Sequence, residues 1–142
     1  MNGYKRKIQY HETDKMGVAH HSNYIKWMEE ARVDLLDRIG YGYDKLEEDG
    51  IISPVLSVEC GYKHPCTFGD ELEITPEILE FKGVRLVIGY EFKNTATGAV
   101  VAEGKSSHCF LTPSGKPVAL KRQFPELDVL LRSLADANGE EK

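Results

Sequence analysis

Residues 10–24 of the chain read YHETDKMGVAHHSNY. This stretch separates a short strand-like segment from a long segment with helical periodicity, and its glycine, Gly17, allows the backbone a sharp turn. A carboxylate in a loop before a helix can attack a carbonyl carbon, or activate water against it, while the helix amino end stabilises the oxyanion. Asp14 is the candidate for that carboxylate. The alternative is an aspartate that only shapes the turn.

The composition limits the possible classes of protein. At 142 residues, with 41% hydrophobic and 29% charged residues, the chain fits one globular domain that can bury a core without disulfides. A net charge of −5 argues against a nucleic-acid partner. No run approaches the roughly 20 apolar residues of a membrane span, and the basic amino terminus lacks the apolar region of a signal peptide. We therefore expect a cytoplasmic protein without an integral membrane segment.

Metal binding is an alternative reading of the same loop. His11, His20 and His21 have acidic neighbours, but adjacent histidines point in different directions, and no H-x-x-x-H or H-E-x-x-H pattern is present. The three cysteines form no C-x-x-C pair, which argues against a zinc ribbon or a disulfide framework. We predict no metal ion and no redox cofactor.

The segment after the loop predicts one long helix of about 16 residues. Ser22 or Asn23 can cap its start, and Gly40 can end it in a left-handed turn. The apolar positions share one helical face: Tyr24, Trp27, Met28, Ala31, Leu35, Leu36 and Ile39. That stripe is broad enough to lie across a sheet.

Five segments have strand character, and Pro76 indicates a bulge or an edge position in one of them. The predicted strands are residues 4–10, 52–63, 71–81, 85–93 and 99–111. A helical turn at 43–49 and a terminal helix at 124–134 complete the elements. The order predicts an α+β fold in which a long helix covers one face of a five-stranded antiparallel sheet. We expect one domain over residues 1–134 and a polar tail at 135–142.

Two motifs carry a resemblance to a known family. Residues 10–32 follow the pattern Y-x-E-T-D-x-x-G-V-x-x-H-x-x-Y-x-x-W-x-E-x-x-R, and residues 62–74 follow Y-x-x-P-x-x-x-G-D-x-L-x-I. Together they resemble the hot-dog-fold acyl-CoA thioesterases of the 4-hydroxybenzoyl-CoA thioesterase type, and most of all the branch associated with the Tol-Pal cluster. The resemblance covers about residues 4–112.

The resemblance implies a fold and an activity. In that family a five-stranded antiparallel sheet wraps around one long central helix, and an acyl-CoA, or an acyl carrier protein thioester, is hydrolysed to a free acid and a thiol. Asp14 matches the catalytic carboxylate, as nucleophile or general base. His21 matches the position whose backbone N–H polarises the thioester carbonyl. The other carried-over positions are substrate-binding ones: Gly17, Val18 and Tyr24, with Lys82 and Arg85 in the region of the CoA.

Two other functions stay open from the sequence. A hot-dog dehydratase or hydratase would act on acyl thioesters, but the E-T-D-x-x-G-V arrangement argues against it. A non-catalytic acyl-thioester binding protein is the second, and the presence of Asp14 speaks against it.

A homo-oligomer, either a dimer or a tetramer, is predicted from the strand pattern. One helix covers only one face of the sheet, and the sheet has two edges that invite pairing. Val87, Val101, Cys109 and Leu111 alternate opposite the Leu86 and Phe110 positions, so whichever set faces the helix, apolar groups remain on the other face. The resemblance implies the same, because hot-dog thioesterases pair their sheets edge to edge and build the active site between subunits.

Overall fold

The computed structural model describes residues 3–140, without the side chains of residues 138–140. Its five strands form one antiparallel sheet in the order β1-β3-β4-β5-β2. The strands are β1 (Tyr4–Lys7), β2 (Val55–Tyr62), β3 (Glu71–Phe81), β4 (Leu86–Asn94) and β5 (Val100–His108). The α-helices are α1 (Ser22–Arg38), α2 (Tyr43–Glu48), α3 (Leu120–Gln123) and α4 (Pro125–Glu140), and a 3-10 turn spans Tyr10–Glu12. The predicted five-stranded antiparallel sheet is confirmed.

The core lies between the sheet and α1, because both present continuous apolar surface. Alternate side chains of β4 are all buried there: Leu86, Ile88, Tyr90 and Phe92. The predicted stripe of α1 supplies Tyr24, Trp27, Met28, Ala31, Leu35 and Leu36 to the same core. The helix approaches β5 closely, since a Cβ on Gly104 would clash with Met28 Sδ. Burial of each large side chain contributes about 1.5–3 kcal/mol.

A second long helix also packs on the sheet, so the prediction of a single long helix is incomplete. Helix α4 has 16 residues, against 17 in α1, and its Leu127 and Leu131 belong to the core. Its backbone continues through Glu140 instead of ending near Leu134, where a polar tail was expected, because Leu134 and Ala135 still pack against the core. Residues 141 and 142 of that predicted tail lie outside the described residues.

Pro76 lies where β3 has a ladder partner on one side only. The β1–β3 pairing ends at Tyr4 and Ile74, whereas Pro76 pairs with Tyr90 of β4 on its other side. The missing N–H of proline is tolerated at such an edge position. A bulge follows between Ile78 and Glu80, so the sequence prediction for this segment is confirmed.

Within the five strands, the exposed large apolar side chains all lie on the edge strand β2, and not at Val87 and Val101 of the predicted pattern. Val87 and Val101 are only 7% and 2% exposed. The exposed apolar side chains of β2 are Val55 (49%), Leu56 (55%), Val58 (38%) and Tyr62 (49%). The strand order explains the difference, because β2 pairs only with β5.

A search of the described residues for membrane-spanning helices finds no helix that is long and apolar enough to cross a bilayer.

Candidate active site

Asp14 lies at the tip of a small hairpin formed by the loop before α1. Thr13 pairs with Ala19, and the Asp14 N–H donates to Val18 O over 2.9 Å. The Gly17 N–H donates to Asp14 O over 2.9 Å, and Gly17 has φ +78°. That conformation favours glycine because it carries no Cβ. The sequence therefore forms a tight turn at the position where the motif places its carboxylate.

The two carboxylate oxygens of Asp14 have different surroundings. Oδ1 accepts a hydrogen bond of 2.8 Å from the Met16 N–H, an Asx-type contact that shapes the turn. Oδ2 has no hydrogen-bond donor among residues 3–140, and the side chain is half-buried. One oxygen therefore serves the turn, and the other is available to a ligand or a water.

The amino end of α1 offers a backbone donor near this hairpin. The Asn23 N–H donates to His20 O at 3.0 Å and the Tyr24 N–H donates to His21 O at 3.2 Å, while the Ser22 N–H faces His20 Nδ1 at 3.2 Å. The backbone N–H of His21, the residue before the helix, has no acceptor within the described part of the chain. A free N–H at the positive end of a helix is suited to bind an oxyanion.

Glu12 ties the hairpin to the rest of the fold. Its carboxylate is buried, and Oε2 accepts hydrogen bonds from Arg6 Nη2 at 2.8 Å and Trp27 Nε1 at 3.1 Å. Oε1 accepts from the Gln9 N–H at 2.8 Å. The charge is thus compensated by one cation and two neutral donors, as a buried carboxylate requires. β1, the 3-10 turn and α1 are joined at this one side chain.

The two ends of the loop are held together by Asn23. Its buried Nδ2 donates to Glu12 O at 2.8 Å and to His20 O at 3.2 Å. The His20 N–H donates to Glu12 O as well, at 2.8 Å. Glu12 and His20 are therefore fixed next to each other, and the hairpin that carries Asp14 projects from a clamped base.

An open cleft of about 840 Å³ lies beside the hairpin. Its wall includes Asp14 and the first helical residues, Ser22 and Asn23. Charges of both signs line the remainder: Arg6, Lys15, Lys26, Glu12 and Glu30. A ligand in this cleft can contact the carboxylate and the start of α1 at once.

Two of the predicted substrate-binding residues belong to the hairpin and a third to the core. Gly17 is exposed at the turn, and Val18 is half-buried and bridges to Thr67. Tyr24 is buried, and its hydroxyl donates to Cys66 Sγ over 3.4 Å. Burial raises the pKa of Tyr24. Contact between this side chain and substrate stays a prediction.

Lys82 and Arg85 are not brought to Asp14 within one chain. The hairpin contacts Thr67, just before β3, whereas Lys82 follows the other end of that strand. Eleven residues of strand span about 36 Å. Lys82 Nζ instead lies 3.3 Å from Glu80 Oε1.

Sequence patterns did not reveal the contacts of Glu12 and Asn23. Asn23 was a candidate helix cap, but its side chain bonds the loop carbonyls instead. The histidines of the loop do not assemble a metal site; His20 and His21 stack at 4.2 Å between ring centroids. No group of three or more potential metal-ligating side chains is found in residues 3–140.

Known proteins similar to this chain include thioesterases. The thioesterase-like superfamily matches residues 8–128. YneP of Bacillus subtilis, named as an acyl-CoA thioesterase, is 35% identical over 121 residues, which cover 84% of this chain and 87% of YneP. A 1,4-dihydroxy-2-naphthoyl-CoA hydrolase of Prochlorococcus marinus is 27% identical, over 86% of this chain and 82% of that protein. The DHNA-CoA thioesterase structure from Staphylococcus aureus superposes with a TM-score of 0.91 and 31% identity, over 98% of this chain and 93% of that one.

Proposed function

Because this chain belongs to the thioesterase-like superfamily, has the hot-dog fold and is an acyl-CoA thioester hydrolase, we propose that Asp14 and the amino end of α1 form its catalytic centre. The proposal rests on two polar groups that make no hydrogen bond to the described residues and lie on the one loop whose ends Asn23 holds together. Asp14 Oδ2 and the His21 N–H both lack partners among the described residues. A thioester carbonyl needs both kinds of group, an attacking or activating oxygen and an oxyanion donor.

The reaction follows from these two groups. The carbonyl oxygen of the acyl thioester accepts a hydrogen bond from the His21 N–H, and negative charge grows on it as the carbon is attacked. Asp14 acts in one of two ways. As a general base it removes a proton from the attacking water. As a nucleophile it attacks the carbon itself and forms an anhydride, which water then hydrolyses. In both routes the C–S bond breaks, and the thiolate takes up a proton. The products are a carboxylic acid and CoA, or the carrier-protein thiol, and no metal or redox cofactor is required.

Substitution of Asp14 by asparagine tests this assignment. Asn keeps an acceptor for the Met16 N–H, so the turn is preserved, but it removes the charge and the basicity. We expect kcat to fall at least about 100-fold, the scale of a lost general base. The control is Asp49→Asn, at an exposed aspartate in the turn after α2. An Asp14→Asn enzyme as fast as the control would show that Asp14 only shapes the turn.

The homo-oligomer is part of the proposal, with β2 as the pairing edge. The other edge strand, β1, has four residues, YKRK, and its three cations discourage pairing. By contrast β2 has eight residues and four exposed apolar side chains. Two β2 strands that pair antiparallel about a two-fold axis form a closed dimer with one continuous sheet. Two such dimers can associate further into a tetramer.

In a dimer paired through β2, Lys82 and Arg85 can have a role that they cannot have within a single chain. Tyr62, at one end of β2, donates a hydrogen bond to His21 O over 3.3 Å. Val55, at the other end, shares a row of the sheet with Leu86 and Phe81, next to Lys82. Antiparallel pairing puts one chain's Tyr62 end beside its partner's Val55 end. We therefore assign the partner's Lys82 and Arg85 to the CoA phosphates of the site at Asp14.

Placement in the Tol-Pal-associated branch and a cytoplasmic location also stay proposals. The histidine at position 21 within the first motif supports the branch. The free thiols of Cys60, Cys66 and Cys109 fit a reducing compartment.

A further inference from the structure

A chain of buried polar side chains runs under α1, apart from the groups used above. Arg32 Nη1 lies 3.1 Å from His108 Nδ1, and His108 Nε2 lies 2.7 Å from Ser106 Oγ. Ser106 Oγ in turn lies 2.8 Å from the Tyr90 hydroxyl. All four side chains are buried. Burial and then the Arg32 charge lower the pKa of His108 to about 4. The ring is therefore neutral at pH 7, and its Nδ1 accepts from Arg32.

These four residues form the base of a small cavity between α1 and β2. The cavity measures about 50 Å³, room for a carboxylate group when one water takes about 30 Å³. In a single chain its mouth is apolar and open, because Ile25, Val55 and Val58 line it and all three are exposed; in the proposed dimer this mouth lies beside the paired β2 edge. The cavity surface is therefore mostly apolar, with polar groups of Arg32 and Tyr90 among its lining.

The cation at the base of the cavity has little negative charge to balance it. Arg32 is only 4% exposed, and Nη1 donates to neutral acceptors, Ser53 O at 3.3 Å and His108 Nδ1. Within the described residues, the one carboxylate oxygen within 4.0 Å is Glu29 Oε1, 3.9 Å from Nη2, and the Glu29 side chain is 63% exposed. A buried guanidinium without a close counter-ion is costly. An anion in the cavity would remove that cost.

We propose that this cavity binds a carboxylate at the far end of the acyl group, which makes the enzyme selective for acyl thioesters with a carboxylate-terminated tail. The inference rests on the proposed function, because that function makes the substrate an acyl thioester. The tail's methylene groups contact Ile25, Val55 and Val58 at the apolar mouth. Its carboxylate accepts hydrogen bonds from Arg32 and from the Tyr90 hydroxyl. Arg32 follows His21 by eleven residues, or about 16 Å along one helix, so tail length is a variable of the test.

Binding of non-hydrolysable thioether analogues of acyl-CoA tests the pocket without relying on catalysis. Two series of equal chain lengths are compared by calorimetry, one ending in a carboxylate and one in a methyl group. At the best length we expect at least tenfold tighter binding of the carboxylate series. Arg32→Met should abolish that preference, while Arg38→Met, on the exposed side of the same helix, should keep it.

A second variant keeps the test decisive if Arg32→Met fails to fold. Glu29 is exposed, so Glu29→Gln should fold normally and should remove the competing carboxylate beside Arg32. We expect the preference to increase severalfold. Equal binding of both series in wild type and in Glu29→Gln overturns the inference. Hydrolysis is measured separately with the true thioesters: no turnover of either series contradicts the proposed function, whereas turnover of both without a preference contradicts only the pocket.

Discussion

Glu12 is the single side chain on which the geometry of the Asp14 hairpin depends most. It receives three hydrogen bonds from three different segments, and its carboxylate is buried. Removing one partner from such a network leaves donors unsatisfied, which costs more than the bond itself contributes. In the proposed mechanism Glu12 acts only through the position of Asp14, so it is a positioning residue.

The substitution Glu12→Gln isolates this role. The amide has one acceptor oxygen where the carboxylate has two, so its NH2 group must face a donor: Arg6, Trp27 or the Gln9 N–H. We expect the free energy of unfolding in urea to fall by about 1–3 kcal/mol and kcat to fall with KM little changed. Glu30→Gln is the control, because Glu30 also accepts from Arg6 but is more exposed, and its loss should cost under about 1 kcal/mol. Equal effects of the two substitutions would contradict the positioning role.

The sequence could place Asp14 in a turn, but it could not show the long-range contacts of the candidate site or of the buried cavity. Asp14, Gly17 and His21 are local to one motif, so spacing alone places them in a turn and at a helix start. The contact between Arg32 and His108 joins residues 76 positions apart. Strand alternation says only which face His108 is on, and no local rule says that a helix residue meets it there.

In the proposed mechanism the amino end of helix α1 supplies the backbone donor, and substitutions at His21 can separate this donor from the imidazole. His21 has φ −58°, a value that the ring of proline accommodates, and its N–H has no acceptor within residues 3–140. His21→Pro therefore deletes the donor and breaks no hydrogen bond of the fold. His21→Ala keeps the donor and removes only the imidazole.

We expect His21→Pro to lower kcat by about 100- to 1000-fold, the cost of one oxyanion-hole donor. His21→Ala should retain much of the activity. Circular dichroism of both variants checks that α1 is intact. If alanine is as damaging as proline while the helix remains, the imidazole and not the N–H is the group that matters.

Among the secondary-structure elements, the sequence predictions are most accurate where the local pattern and the tertiary contacts favour the same structure. The strand predicted at 71–81 is β3 residue for residue, because its apolar alternation is closed by Gly69 and Gly83. Helix α4 extends beyond its predicted end although Gly139 disfavours helix. Packing of the preceding turns on the core outweighs that propensity. Strand β1 ends at Lys7, three residues early, because Glu12 draws Gln9 into the 3-10 turn.

At the scale of the whole molecule, one of the two sheet edges, β2, is apolar and exposed, and this could not be read from the sequence. Alternation correctly indicated apolar groups in excess of what α1 covers, but it assigned them to Val87 and Val101, which the fold buries. Strand order decides which strand is an edge, and strand order depends on long-range pairing such as that of β1 with β3. The proposal that the chain associates therefore keeps its reason, but the proposed contact moves to β2.

The last prediction concerns this edge. Leu56 is the most exposed apolar residue of β2, and a lysine there adds charge to a strand that we expect to lie against its copy. Light scattering of the wild type should give a multiple of the 16.0 kDa chain mass, and Leu56→Lys should shift it toward a single chain and lower kcat/KM together with the mass. Val129→Lys, at a still more exposed apolar position on α4, should leave both unchanged. Because the proposed CoA site takes Lys82 and Arg85 from the partner, activity and assembly must fall together on dilution as well. A Leu56→Lys enzyme that is a monomer with full activity would place the whole active site within one chain and rule out the shared site.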